Sequence, residues 1–223
     1  MAANRGAPAP ASEQGGGGRK SVVTLDGAQE LARELASTVK ASGWKPDLLV
    51  GIANGGVHPA FFTAQALDIP VSYFRVQRRT SQLKQRLGFA GKALSSKLLK
   101  RPLYILNRYA DRWLGGVASA GVSLKEDVRE KRVLIVDDCV DSGASVAHVR
   151  SLLQRAGAGE IKLAVFCWTT KYDSRALHGV VPDFYLGRKL PSYPWSADNA
   201  DYAAFKLWLN ERLKSVAEPT PSL

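Results

Sequence analysis

Apolar residues along this chain fall into two spacings. Asp47–Ile52, Val71–Val76, Val133–Val136 and Ile161–Trp168 are short, nearly continuous apolar runs rich in β-branched residues, the pattern of strands buried on both faces. Between them the apolar positions recur every three or four residues. Leu25, Ala28, Leu31, Ala32, Leu35 and Val39 predict a helix that starts at Thr24 and stops at Gly43. Val57–Leu67, Val146–Leu153 and Tyr202–Leu213 predict three more, the last with Phe205 and Leu209 among its core positions. Strands alternating with helices predict an α/β protein, a Rossmann-like open parallel sheet flanked by helices. In such sheets ligands bind beyond the carboxyl ends of the strands, so the turns that follow the strands are the places to look for chemistry.

The turn after Val133–Val136 carries the most. The apolar run is expected to end at two adjacent carboxylates, Asp137 and Asp138, with a third at Asp141 before Ser142, Gly143, Ala144 and Ser145 open a helix. A helix start offers unpaired N–H groups and the positive end of a dipole, which suit a phosphate. Ser142 and Ser145 can donate to the same anion. Asp137 and Asp138 would repel a phosphate that they faced. They are better suited to accepting hydrogen bonds from vicinal hydroxyls or to holding a divalent cation. A second strand–turn–helix unit follows Asp47–Ile52, with Asn54-Gly55-Gly56 as its turn. The glycines there are expected to supply backbone freedom and to let an anion approach N–H groups closely.

The acidic turn closely resembles the phosphoribosyl-pyrophosphate (PRPP) signature of the type I phosphoribosyltransferases. The resemblance implies that Asp137 and Asp138 take the ribose hydroxyls or hold the Mg²⁺ that accompanies them. It makes Asp141, Ser142, Gly143, Ala144 and Ser145 the cradle of the 5′-phosphate, with Ser142 and Ser145 where Thr is usual. Asn54, Gly55 and Gly56 correspond to the pyrophosphate loop, and Asn54 stands where that family commonly has Arg or Lys. The region 171–199, rich in Pro and aromatic residues, resembles the base-binding hood of the 6-oxopurine members, the xanthine-guanine type most of all. There Lys171 would bond the purine O6 and Trp195, in a Pro-Trp pair, would stack on the ring; Ser196 replaces the usual acid. Asp141 would then take or buffer the proton of the purine N7.

Composition adds three constraints. The net charge is +11, and Arg75–Arg112 holds eleven basic residues against the single acid Asp111, so this one segment accounts for nearly all of it. Leu83, Leu87, Ala90, Leu94 and Leu98 form an apolar stripe within that segment, and Leu103–Trp113 a further amphipathic stretch. They read as a basic helical insert, 75–115, serving as a lid or subunit-packing element. A nucleic-acid surface is the alternative, and a membrane-surface helix ranks behind both. The two cysteines, Cys139 and Cys167, both in strand-like runs, read as buried thiols in a reducing compartment. Residues 1–20, rich in Ala, Pro and Gly, predict a flexible tail before one domain spanning 21–223. With no long apolar run, a soluble cytoplasmic protein without membrane association is expected. His58, His148 and His178 show no metal-ligand spacing.

The implied activity is transfer of phosphoribose from PRPP to a purine base, a 6-oxopurine by preference, with Mg²⁺ as cofactor and pyrophosphate as product, as in purine salvage. A homo-oligomer is expected. The rival from another class is a non-catalytic regulator that senses PRPP and grips nucleic acid through Arg75–Arg112.

Overall fold

The computed structural model describes residues 21–53, 55–78, 117–123, 126–141, 143–169, 179–187 and 191–217. The tail 1–20 and the insert from residue 79 to residue 116 lie outside the described residues. In chain order the elements are α1 (Leu25–Ala41), β1 (Leu48–Ala53), α2 (Val57–Leu67), β2 (Val71–Arg78), β3 (Val117–Ser123), β4 (Arg132–Val140), α3 (Ala144–Arg155), β5 (Glu160–Trp168), β6 (Phe184–Gly187) and α4 (Tyr202–Ala217). The strands form one sheet in the order β3-β2-β1-β4-β5-β6. Five of them run parallel, and β3 is antiparallel to β2 at the edge. The open parallel sheet with flanking helices is the predicted class.

Strand order reverses between β1 and β4, since β1 leads outward to β2 and β4 leads the other way to β5. Crossover connections diverge at such a point and leave a crevice beyond the carboxyl ends of the two central strands. The turns after β1 and β4 therefore face each other. The strands are continuously apolar because both faces are covered. Val133 and Ile135 of β4 pack with Val146, Val149 and Leu153 of α3. Leu134 and Val136 face the other way, onto Ala32, Leu35 and Val39 of α1 and Val57, Ala60 and Ala64 of α2. All of these are at most 2% exposed, so each central strand residue contributes the full transfer free energy of its side chain, about 1.5–3 kcal/mol for Val, Leu or Ile. Helix α1 starts where expected: the Thr24 side chain caps it by accepting from the Gly27 N–H at 3.1 Å.

Below the strands, Asp47 and Arg132 pin the entry of β1 to that of β4. The Asp47 carboxylate accepts from Arg132 Nη2 at 2.8 Å and from Nε at 3.0 Å. The hydrogen bonds from the Arg132 side chain, then from its backbone N–H, lower the Asp47 pKa to about 2.

Four features differ from the sequence expectation. Strand β4 does not end at the carboxylates; it runs through Asp137, Asp138 and Cys139 to Val140 because β5 keeps pairing with it as far as Trp168. Strand β2 extends to Arg78, so Arg75 and Arg78 of the basic run are strand residues. Strand β3 had no apolar signal, being Ala-, Gly- and Ser-containing, yet it pairs with β2 with Arg78 opposite Val117. The basic insert thus leaves and re-enters the sheet at one place on its edge. Strand β6 lies within the Pro- and aromatic-rich region 171–199, where no strand is expected, and it is held by pairing with β5. Among the described residues no helix is long and apolar enough to cross a membrane.

Candidate active site

Asp137 and Asp138 lie at the outer end of β4, beside the turn that follows β1. Asp137 is 9% exposed, and its Oδ1 accepts the backbone N–H of Asp138 at 2.9 Å. The Asp138 carboxylate points toward the β1 turn, where a Cβ added to Gly55 would lie 2.6 Å from Asp138 Oδ2. A Cβ at Gly56 would lie 2.5 Å from the Ile52 carbonyl oxygen and 2.8 Å from that of Val136. Gly56 itself is right-handed, with φ −79°. Its requirement for glycine is one of space, not of backbone freedom, which corrects the expectation for that position.

The turn after β4 behaves differently. Gly143 has φ +77°, a conformation open to glycine at little cost, and it caps α3 with no side-chain bond. Ala144 begins the helix and Ser145 is 8% exposed in its first turn. Asp141 is exposed, and its Oδ1 accepts from the Thr169 hydroxyl at 3.2 Å across the gap between β4 and β5. The structure thus brings Asp137, Asp138, Gly55 and Gly56 together, with Gly143, Ala144 and Ser145 at the adjoining helix start. Ser142, Asn54 and Lys171 lie outside the described residues.

The hood approaches from above. Trp195 Nε1 donates to Asp138 Oδ2 at 2.6 Å, joining the hood to the strand-end carboxylate. The Trp195 ring stacks on Tyr193 with centroids 4.9 Å apart and planes at 16°. It also packs against His58 and Phe205, each at 5.7 Å. The hood is itself tied down: Asn199 Nδ2 donates to the Val23 carbonyl at 3.0 Å and to that of Ser192 at 2.9 Å, and Val23 N–H donates to the Ser192 carbonyl.

Three further features lie around these groups. Tyr193 is one, signalled only by the aromatic density of its region. Burial first, then the neighbouring thiols and Asp138, push its phenol far above the ordinary range. His58 is another. It is fully buried in α2, neither ring nitrogen has a hydrogen-bond partner, and Phe62, Trp195, Phe205 and Trp208 surround it. Burial lowers its pKa to about 4, so the imidazole is neutral at physiological pH. The third is the pair Cys139 and Cys167, which face each other across β4 and β5. Hydrogen bonding to Cys167, then burial and the nearby carboxylates, hold the Cys139 thiol well above the ordinary range.

The Phosphoribosyl transferase domain matches residues 21–185 of the 223. The chain belongs to the phosphoribosyltransferase family. Solved structures of similar fold include a purine phosphoribosyltransferase from Pyrococcus horikoshii, 24% identical over 79% of this chain and 94% of that one, with TM-score 0.54. A xanthine-guanine-hypoxanthine phosphoribosyltransferase from Helicobacter pylori is 16% identical over 87% and 98%, with TM-score 0.53. A hypoxanthine phosphoribosyltransferase from Staphylococcus aureus is 13% identical over 77% and 78%, with TM-score 0.51. At these identities the likeness is one of fold. No curated protein matches the chain in sequence.

As a phosphoribosyltransferase, the protein has a crevice whose groups divide by chemistry. Carboxylates able to accept hydrogen bonds lie at the end of β4, and a helix start, the kind of place that suits an anion, adjoins them. Among the described residues no group of three or more His, Cys, Asp or Glu side chains could hold a metal ion. Asp137 and Asp138 are nonetheless the hard oxygen donors that Mg²⁺ takes one or two at a time, completing its shell with substrate phosphates and water.

Proposed function

We propose that this phosphoribosyltransferase transfers phosphoribose from PRPP to a 6-oxopurine and releases pyrophosphate. The observation that carries the reading is the meeting, at the sheet's switch point, of the Asp137–Asp138 pair with the Gly55–Gly56 turn under a hood whose Trp195 reaches Asp138. In this reading Asp137 and Asp138 accept from the ribose 2′ and 3′ hydroxyls. The 5′-phosphate sits against the N–H groups at the start of α3, from Gly143 through Ser145, with Ser142 as a further donor. The diphosphate lies against the turn of Asn54, Gly55 and Gly56.

Charge builds on the ribose and on the departing diphosphate, so fixed donors and the helix dipole contribute most where that charge appears. Asp137 and Asp138 would hold Mg²⁺ jointly with substrate oxygens, and the ion would supply charge neutralisation at the leaving diphosphate. On the base side Asp141 takes or buffers the purine N7 proton, Lys171 donates to O6, and the Trp195 ring bounds the base pocket. The Asp141 carboxylate is exposed and oriented by Thr169, which leaves it reachable by a base entering from solvent.

The test is direct. Purified protein with PRPP and Mg²⁺ is offered hypoxanthine, guanine, xanthine and adenine, and pyrophosphate release is followed. Turnover with one or more of the first three and rejection of adenine is the expected result, because adenine's amino group leaves the Lys171 donor unpaired. Preferential use of adenine or of a pyrimidine would overturn the assignment of the base.

A further inference from the structure

Cys139 and Cys167 take no part in the reaction described above, yet they sit beside its central carboxylate. They are direct partners in the parallel register of β4 and β5, and both are free thiols. Adjacent strands lie about 4.8 Å apart, inside the range of roughly 4.4–6.8 Å between Cα atoms that a disulfide spans. Access differs between the two. Cys167 is 1% exposed, whereas Cys139 is half-buried. Cys139 also follows Asp138 directly in the chain. Tyr193 stacks on Trp195, which in turn holds Asp138.

We propose that Cys139 and Cys167 form an oxidisable dithiol site, in which a hydroperoxide converts the pair into an intrachain disulfide and the cross-link weakens binding at Asp138. The second half rests on the assignment of Asp138 to PRPP; the first does not. Cys139, the more exposed sulfur, reacts from its thiol form, so its attack on the peroxide oxygen is slow and calls for peroxide in excess; the O–O bond breaks, and the displaced hydroxide or alkoxide takes up the thiol's proton. The resulting sulfenic acid at Cys139 is attacked by the Cys167 sulfur. The S–O bond breaks, and the hydroxyl leaves with the Cys167 proton as water. Overall the two thiols lose two electrons and two protons, and the peroxide is reduced to water and an alcohol, or to two waters. A bond drawn between β4 and β5 at this point shifts the backbone next to Asp138, whose carboxylate Trp195 holds.

Full-length protein treated with excess hydrogen peroxide, digested without reduction and examined by mass spectrometry is expected to yield one peptide pair joined through Cys139 and Cys167, separable by dithiothreitol. Calorimetry is expected to show PRPP affinity at least about tenfold lower in the oxidised protein, the size of one lost charge-assisted hydrogen bond. Dithiothreitol should restore it, and Cys167→Ser and Cys139→Ser proteins should keep their affinity through the treatment. Sulfinic acid on Cys139 alone, a link between two copies of the chain, or two thiols still reactive after peroxide would overturn the dithiol site. A linked peptide with unchanged PRPP affinity would overturn its effect on Asp138. Failure of the reduced protein to bind PRPP would overturn the proposed function and the second half together, while the linked peptide still decides the first.

Discussion

The turn after β1 and the turn after β4 both join a buried strand to a helix at the centre of the sheet, but they meet the crevice in different ways. The β4 unit brings side chains: Asp137 and Asp138 from the strand end, Asp141 from the turn and Ser145 from the helix start. The described part of the β1 turn brings two glycines, and the space their side chains would fill is already occupied. The Asp138 carboxylate stands against Gly55, and the Ile52 and Val136 carbonyl oxygens stand against Gly56. One turn supplies groups and the other makes room for them. A Gly-Gly pair after a strand therefore answers to its neighbour in the sheet as well as to any ligand.

The sharpest way to break this contrast is to remove what the β4 unit supplies. Asp137→Ala combined with Asp138→Ala is expected to abolish PRPP binding in calorimetry, since two charge-assisted hydrogen-bonding groups worth about 1.5–3 kcal/mol each are lost. Fold and thermal midpoint should survive, because both side chains sit at the strand's outer end. Retained PRPP affinity in that double variant would remove the acidic turn from the site.

Behind the β1 turn, α2 buries His58 among aromatic rings, and this predicts a pH effect on stability. The unfolded chain binds a proton at His58 near pH 6.5, whereas the folded protein resists it down to about 4. The unfolded state thus holds more protons between those values, so the stabilisation is complete above pH 6.5 and is lost as pH falls toward 4. The gap corresponds to roughly 3 kcal/mol. His58→Phe, which suits the cluster of Phe62, Trp195, Phe205 and Trp208, is expected to flatten that part of the stability–pH curve measured by urea unfolding. An unchanged slope would show that the acid sensitivity lies elsewhere.

The third comparison is between the two glycines. In Gly56→Ala the new methyl meets backbone oxygens that cannot swing aside, so about 1–3 kcal/mol of unfolding free energy is expected to be lost, as in other overpacked sites. In Gly55→Ala it meets the far end of the Asp138 side chain, which can rotate away. The expected cost is therefore to PRPP affinity, about 1–2 kcal/mol, with little change in urea midpoint. Equal effects of both substitutions on stability would erase the distinction.

How much of this was legible in the sequence follows from where each signal resides. The central strands announce themselves because burial on both faces makes them continuously apolar, and the carboxylates stand out because they interrupt such a run. Strand β3 carries no such mark. It is an edge strand containing Ala, Gly and Ser, and its existence depends on pairing with β2. Strand β4 outlasts its apolar run because β5 continues beside it. The space at Gly55 belongs to Asp138, and that at Gly56 in part to Val136, atoms of another strand far away in the chain. Likewise the bond between Trp195 and Asp138 spans 57 residues and leaves no local pattern. Spacing marks the candidate residues, and tertiary contacts decide how they touch.

The smallest expected effect concerns that bond. Phe in place of Trp195 keeps an aromatic ring on Tyr193, His58 and Phe205 but removes the N–H that Asp138 accepts at 2.6 Å. If the indole orients the carboxylate for ribose, Trp195→Phe lowers PRPP affinity by about 1 kcal/mol, roughly fivefold, and leaves the KM for the base nearly unchanged. Trp195→Ala removes the ring as well and should raise the base KM by about 1 kcal/mol or more in addition. The split between the two variants is what matters. A rise in PRPP affinity in Trp195→Phe would mean that the indole competes with ribose for Asp138, and that the hood has to release this carboxylate before the substrate can bind.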